Sequence, residues 1–120
     1  MVDRAQAFAE RYIKTEMSLD PTKIVHELYC EDAVLEAHGT FITGRAALET
    51  FYADFLSKVE SVHLELGRVA GTGDDVAFEW RSQAVLKSGE RAEAAGLDFI
   101  TLRGDCAVRN TVYVLLSANP

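Results

Sequence analysis

The chain has 120 residues, of which 48% are hydrophobic and 26% charged, with a formal net charge of −7. A chain this long forms one domain that buries roughly two thirds of its unfolded surface, so residues 1–120 read as a single domain with a core of its own. The acidic balance argues against nucleic acid and against an anionic membrane surface, which both recruit clustered Lys and Arg, and no apolar run approaches the ~18 residues of a membrane span.

Met1-Val2-Asp3-Arg4 leads straight into an amphipathic helix and lacks the apolar stretch of a signal peptide. From Asp3 to about Met17, Ala5, Phe8, Ala9, Tyr12, Ile13 and Met17 recur at helical spacing and form one apolar stripe. Asp20-Pro21 starts a second, short helix, because an Asp cap followed by Pro at the first helical position fits a helix N-terminus. Its buried stripe is Ile24, Val25, Leu28 and Tyr29. Asp32 to His38 reads as a short strand broken by Gly39, and Thr40 to Ile42 as another. Thr43 caps a third helix whose stripe is Ala47, Leu48, Phe51, Tyr52, Phe55, Leu56 and Val59.

After Val59 the hydrophobic period changes from 3.6 to 2. Four long strands are predicted, over Ser61–Ala70, Val76–Lys87, Arg91–Leu102 and Val108 to about Leu116, joined by turn-rich segments such as Ser88-Gly89 and Arg103-Gly104-Asp105. Helices first and antiparallel strands last argue an α+β fold, with helices on one face of a curved sheet. The other face mixes polar and apolar residues and meets solvent or a second copy of the chain.

Asp98 carries the most information. Its strand face is Ala92, Ala94, Gly96, Asp98, Ile100 and Leu102, where it is the only ionisable group. A carboxyl on an apolar wall either finds a partner or changes protonation, since a bare buried charge is too costly. It is either a neutral acid donating to a ligand oxygen or an ionised structural Asp bonded to Arg or backbone. Tyr12, on the apolar helix stripe, has a parallel pair of readings: a donor to a ligand oxygen, or a core tyrosine satisfied by a carbonyl or water.

Cys30 and Cys106 lack metal-ligand spacing and read as free thiols in a reducing cytoplasm. His26, His38 and His63 form no metal signature, and no metal or organic cofactor is implied. There is no phosphate-binding loop, dinucleotide-binding glycine pattern or nucleophile elbow.

The segment Leu28-Tyr29-Cys30-Glu31-Asp32-Ala33-Val34-Leu35-Glu36, together with Gly44-Arg45-Ala46-Ala47-Leu48 and Phe51-Tyr52, resembles the nuclear transport factor two-like superfamily, specifically its ketosteroid isomerase and SnoaL-like polyketide cyclase branches. The resemblance covers nearly the whole chain. It implies a cone: a strongly bent, mostly antiparallel sheet wrapped around three helices from the N-terminal half (a cystatin-like α+β barrel), enclosing a deep apolar pocket. It also implies a homodimer formed through the outer sheet face, where Glu79, Arg81 and Gln83 lie.

In the isomerase branch, a helix tyrosine and a protonated strand aspartate form an oxyanion hole. Tyr12 and Asp98 match these, Tyr52 matches a supporting tyrosine, and Phe51 and Trp80 match pocket aromatics. That isomerase is a known case of an Asp kept neutral so that it can donate. The branch's general base, an Asp that follows a Glu on the first strand, is replaced here: Glu36 is followed by Ala37. Glu36 and His38 alternate to the other strand face and reach the pocket only through a bulge or register shift. His38 itself reads either as a base with a convenient pKa or as an exposed turn residue before Gly39. The related epoxide hydrolases carry an inward Arg and Asp where this chain has Trp80 and Ser82.

Two functions stay open. In the first, the chain is an isomerase- or cyclase-type enzyme that binds a small apolar carbonyl compound. Tyr12 and Asp98 stabilise an enolate, and Phe51, Trp80, Leu35, Ala37 and Tyr113 wall the site. The base is His38, Glu36, water or a substrate group. In the second, the cone is a non-catalytic module that binds a small ligand or serves as a dimeric interaction domain.

Overall fold

Asp3 serves as a helix cap: its Oδ1 accepts from the Ala5 N–H at 3.0 Å and opens α1, Arg4–Glu16. Asp20 does the same at α2, Pro21–Leu28, accepting from the Lys23 N–H at 3.2 Å with Pro21 in the first turn. The computed structural model describes residues 3–118, with side chains through Leu115, so the reading of Met1 and Val2 lies outside the described residues. After α2 come β1 (Tyr29–Ala37), β2 (Thr40–Thr43), α3 (Arg45–Leu56), β3 (Val59–Thr72), β4 (Asp75–Leu86), β5 (Arg91–Arg103) and β6 (Cys106–Ala118).

Several boundaries differ from expectation. Tyr29 leaves α2 and starts β1, and Val59 leaves α3 and starts β3. At each, an apolar side chain, buried at Tyr29 and partly buried at Val59, continues the helical spacing by coincidence while the backbone has already extended. Thr43 belongs to β2. The α3 cap is Gly44, which makes no side-chain cap bond. Its φ of +88° is a conformation glycine adopts without a Cβ clash, and its N–H donates to the Ala33 carbonyl at 2.8 Å.

The strands form a sheet in the order β2-β1-β6-β5-β4-β3. All neighbours are antiparallel except β1 and β6, which run parallel. The result is an α+β fold: three helices against a curved, mixed, six-stranded sheet. Register breaks at Leu66/Val69 in β3, at Ala95/Gly96 between β5 and β6, and at Tyr29/Val34 in β1 mark irregularities of the kind that bend strands. The sheet curves without closing, with β2 and β3 as its edges, so the expected barrel is an open cone. Its core joins Phe8, Ala9 and Ile13 of α1 to Ile24, Val25 and Leu28 of α2, Leu48 of α3, and Phe78 and Ile100 of the sheet. No helix among the described residues is long and apolar enough to cross a membrane.

The two cysteines are not free. Cys30 and Cys106 form a disulfide, with their Cα atoms 5.1 Å apart and 76 residues apart in sequence. Parallel pairing of Tyr29 with Ala107 brings the starts of β1 and β6 together, a non-local contact that cysteine spacing does not encode. The argument for a reducing cytoplasm, which rested on unpaired thiols, falls with it.

Candidate active site

The concave side of the sheet and helices α1 and α3 enclose a cavity of about 490 Å³. Tyr12, Asp98, Tyr52, Phe51, Trp80, Leu35, Ala37 and His38, all singled out from the sequence, line it. Tyr113 does not: it is 52% exposed on the other sheet face, paired with Leu97, while Val112 and Val114 on either side of it face the cavity. The error is one residue of register, which in a strand exchanges the faces.

Asp98 is 2% exposed. Neither Arg nor backbone satisfies it. Trp80 Nε1 donates to Oδ1 at 2.8 Å and Asn110 Nδ2 to Oδ2 at 3.0 Å. Gly96 makes the first bond possible. It pairs with Trp80 across β4 and β5, and a Cβ there would meet the indole at 2.5 Å and the Tyr113 carbonyl oxygen at 2.5 Å. The bare backbone lets the indole lie across β5 and reach Asp98, two residues on. Burial raises the Asp98 pKa above the ordinary carboxylate range, and the Asn110 and Trp80 donors, which favour the ion, pull it partly back.

Behind this wall sits a buried cluster of phenols. Tyr29 and Tyr52 hydroxyls lie 2.8 Å apart, Tyr12 and Tyr29 3.2 Å, and Tyr12 and Tyr52 3.4 Å. Asn110 Nδ2 lies 3.2 Å from the Tyr12 hydroxyl and 3.1 Å from that of Tyr29. Asn110 therefore links Tyr12 to Asp98. Its two amide protons cannot serve all three neighbours at once. Its Oδ1 is buried without a partner among the described residues. An amide turned over would present that oxygen to the same groups and accept from them. Burial, ahead of the neighbouring acids, raises the pKa of all three tyrosines, so they stay protonated as donors.

The Tyr52 hydroxyl donates to Glu16 Oε1 at 3.1 Å. Glu16 ends α1 one turn beyond Tyr12 and also lines the cavity. Burial is the largest cause raising its pKa, from 4.5 to about 7. Sequence reasoning missed Glu16, Tyr29 and Asn110. A signal existed for two of them: Glu16 is at i+4 from Tyr12, and Asn110 alternates with Val112 and Val114 on the inward face of β6.

His38 occupies the turn after β1 with φ +52°, exposed yet on the cavity wall, so it marks the rim. Exposed Phe55, Lys58 and Glu93 share that rim. Glu36 points away from the cavity, 3.7 Å from Arg109. Among the described residues no three His, Cys, Asp or Glu side chains are grouped to hold a metal.

A family model for the SnoaL-like domain matches residues 9–110. The sequence matches no curated protein. Three solved structures share the fold. A protein from Catenulispora acidiphila with a ketosteroid isomerase-like fold, in complex with trimethylamine, has 19% identity, covers 88% of this chain and 83% of its own, and gives a TM-score of 0.78. A protein from Novosphingobium aromaticivorans, described as an aromatic ring hydroxylase by assignment only, has 21% identity, coverage of 96% and 90%, and a TM-score of 0.80. A protein from Jannaschia sp., described by assignment only as a SnoaL-like polyketide cyclase, has 12% identity, coverage of 93% and 85%, and a TM-score of 0.78.

Proposed function

Because the chain belongs to the SnoaL-like domain family, whose fold hosts several chemistries, we propose that it binds a small apolar carbonyl compound and stabilises an enolate or oxyanion through Tyr12 and Asp98, in isomerase- or cyclase-type chemistry. The observation that carries this reading is the placement of a protonated phenol and a buried carboxyl on one cavity wall, bridged by Asn110. Two donors aimed at one oxygen stabilise the charge that develops there. Asp98 donates only as the neutral acid. Burial favours that form and the Trp80 and Asn110 bonds oppose it, so an incoming ligand oxygen tips the balance. Phe51, Trp80, Leu35 and Ala37 supply the apolar walls.

The test is binding of 2-naphthol, a planar phenol that mimics a dienolate. Wild-type protein is expected to bind it with a larger naphtholate fraction, read by absorbance and fluorescence, than buffer at the same pH. Tyr12→Phe and Asp98→Asn are each expected to weaken naphtholate binding by about 100-fold, the usual cost of one oxyanion donor. A wild-type protein that binds no phenol refutes the reading.

Ala37 favours a second reading. A methyl group stands where the isomerase branch has its base, as a non-catalytic ligand-binding or dimeric interaction module of the same fold would tolerate. Such a module binds 2-naphthol without exchanging the α-protons of a ketone. A homodimer through the outer sheet face, where Phe99 and Tyr113 are exposed, belongs to either reading and is checked by sedimentation.

A further inference from the structure

A site that makes an enolate must also remove a proton from carbon, and neither Ala37 nor the outward Glu36 does so. Resting on the enolate reading above, we propose that Glu16 is the base of this cavity, taking the α-proton of a ketone whose oxygen lies against Tyr12 and Asp98. The C–H electron pair becomes the enolate double bond, the carbonyl pair moves onto oxygen, and the proton passes to a Glu16 carboxylate oxygen. Glu16 then returns a proton to carbon and the oxygen pair re-forms the carbonyl: the same proton to the γ-carbon where the ketone is unsaturated, or, after exchange with water, a solvent proton to the α-carbon. No oxidant or cofactor enters the balance.

Geometry selects Glu16 over the other groups. Apart from Asp98, it is the one carboxyl among the described residues that lines the cavity away from the rim; Glu93 is exposed, as are His38 and Lys58. Tyr12 and Glu16 are four residues apart on α1, so both side chains fall on one helix face. The Tyr52 hydroxyl ties them together, 3.1 Å from Glu16 Oε1 and 3.4 Å from the Tyr12 hydroxyl. That bond fixes one carboxylate oxygen. Tyr52 makes the one hydrogen bond to the Glu16 carboxyl among the described residues, and the carboxyl lines the cavity. A ligand whose oxygen reaches Tyr12 therefore presents its α-carbon beside this carboxylate.

The electrostatics suit the role. A base works best when its pKa lies near the working pH, and burial holds Glu16 at about 7. The groups that face it are Tyr12 on α1, Tyr29 on β1, Tyr52 on α3 and Asp98 on β5, with His38, Lys58 and Glu93 at the rim. The Tyr12 and Tyr52 hydroxyls lower its pKa and the Asp98 charge raises it.

The experiment follows the α-protons of 2-tetralone exchanging with D2O, by proton NMR, in the full chain. Wild-type protein is expected to accelerate exchange, with a rate that rises through about pH 7 and then levels. Glu16→Gln keeps an acceptor for Tyr52 and is expected to lose 100-fold or more of that rate, the usual range being about 10² to 10⁴ for a general base, while still binding 2-naphthol. Glu16→Asp, one methylene shorter, is expected to retain part of the rate. Undiminished exchange in Glu16→Gln with 2-naphthol still bound overturns Glu16 alone and leaves the oxyanion site standing. So does exchange that is lost in His38→Gln but kept in Glu16→Gln. A wild-type protein that neither binds 2-naphthol nor exchanges 2-tetralone protons overturns the enolate reading, and this inference with it.

Discussion

Asp98 and Glu16 are two acids on one cavity wall, held by different kinds of element. Asp98 sits mid-sheet, and the flanking strands β4 and β6 each send it an N–H donor, from Trp80 and Asn110. Glu16 ends a helix and receives a phenol, Tyr52. Burial raises both pKa values. Strand neighbours can stabilise the carboxylate from either side. The last turn of a helix offers carbonyls and the negative end of the helix dipole, which disfavour it. Asp98 is 2% exposed and Glu16 only partly buried, and the two acids meet different partners. The sheet-borne acid is braced by neutral donors, and the helix-borne acid changes charge near neutrality.

The largest effect expected from disturbing this contrast comes from the disulfide. Cys30 and Cys106 tie together β1 and β6, the strands that carry Tyr29 and Asn110 behind Asp98. A loop of 76 residues closed by a disulfide is worth about 4 kcal/mol on the chain-entropy model. Reduction by dithiothreitol is expected to lower the unfolding free energy by that order in urea titrations. An unchanged midpoint means the two sulfurs are not joined in solution.

The next effect isolates the helix side. Unfolded Glu16 loses its proton near 4.5 and native Glu16 near 7. Between these values the native state binds more protons, so this contribution to stability is full below pH 4.5 and fades as pH climbs to 7. The span corresponds to roughly 3 kcal/mol. Subtracting the stability-against-pH curve of Glu16→Gln from that of wild type is expected to expose this slope. A flat difference shows that Glu16 is solvated and ordinary.

The two sides were unequally legible in the sequence. Asp98 stood out because period-two alternation leaves it the only ionisable group on its face, and β5 keeps that alternation through the site. Asn110 obeys the same rule one strand over, but a neutral amide among small apolar residues draws no attention until its partners are known. Tyr29 was hidden by ending an apolar stripe at helical spacing although the helix stops at Leu28. Glu16 lies among the charged residues that close most helices, and only the Tyr52 hydroxyl of α3 against it marks it as a partly buried acid. The disulfide and the Tyr113 face both depend on strand register, which the parallel β1–β6 pairing and the bulges set. Local periodicity identifies which residues face inward along one element. It does not say which elements meet.

The smallest expected effect is also the most discriminating. Trp80→Phe keeps an aromatic wall and removes only the N–H that Asp98 Oδ1 accepts at 2.8 Å. A hydrogen bond to a charged group contributes about 1.5 to 3 kcal/mol, so the Asp98 pKa is expected to climb further, read by carbon-detected NMR of its carboxyl. Glu16 is expected to move the other way. Part of what raises its pKa is the negative charge on Asp98, and a more fully protonated Asp98 withdraws that repulsion. Opposite shifts in one variant mean that the phenols and Asn110 couple two distinct acids across the cavity. A rise at both positions means that the lost indole changed the solvation of the whole pocket, and the contrast between a braced strand acid and a titrating helix acid is then wrong.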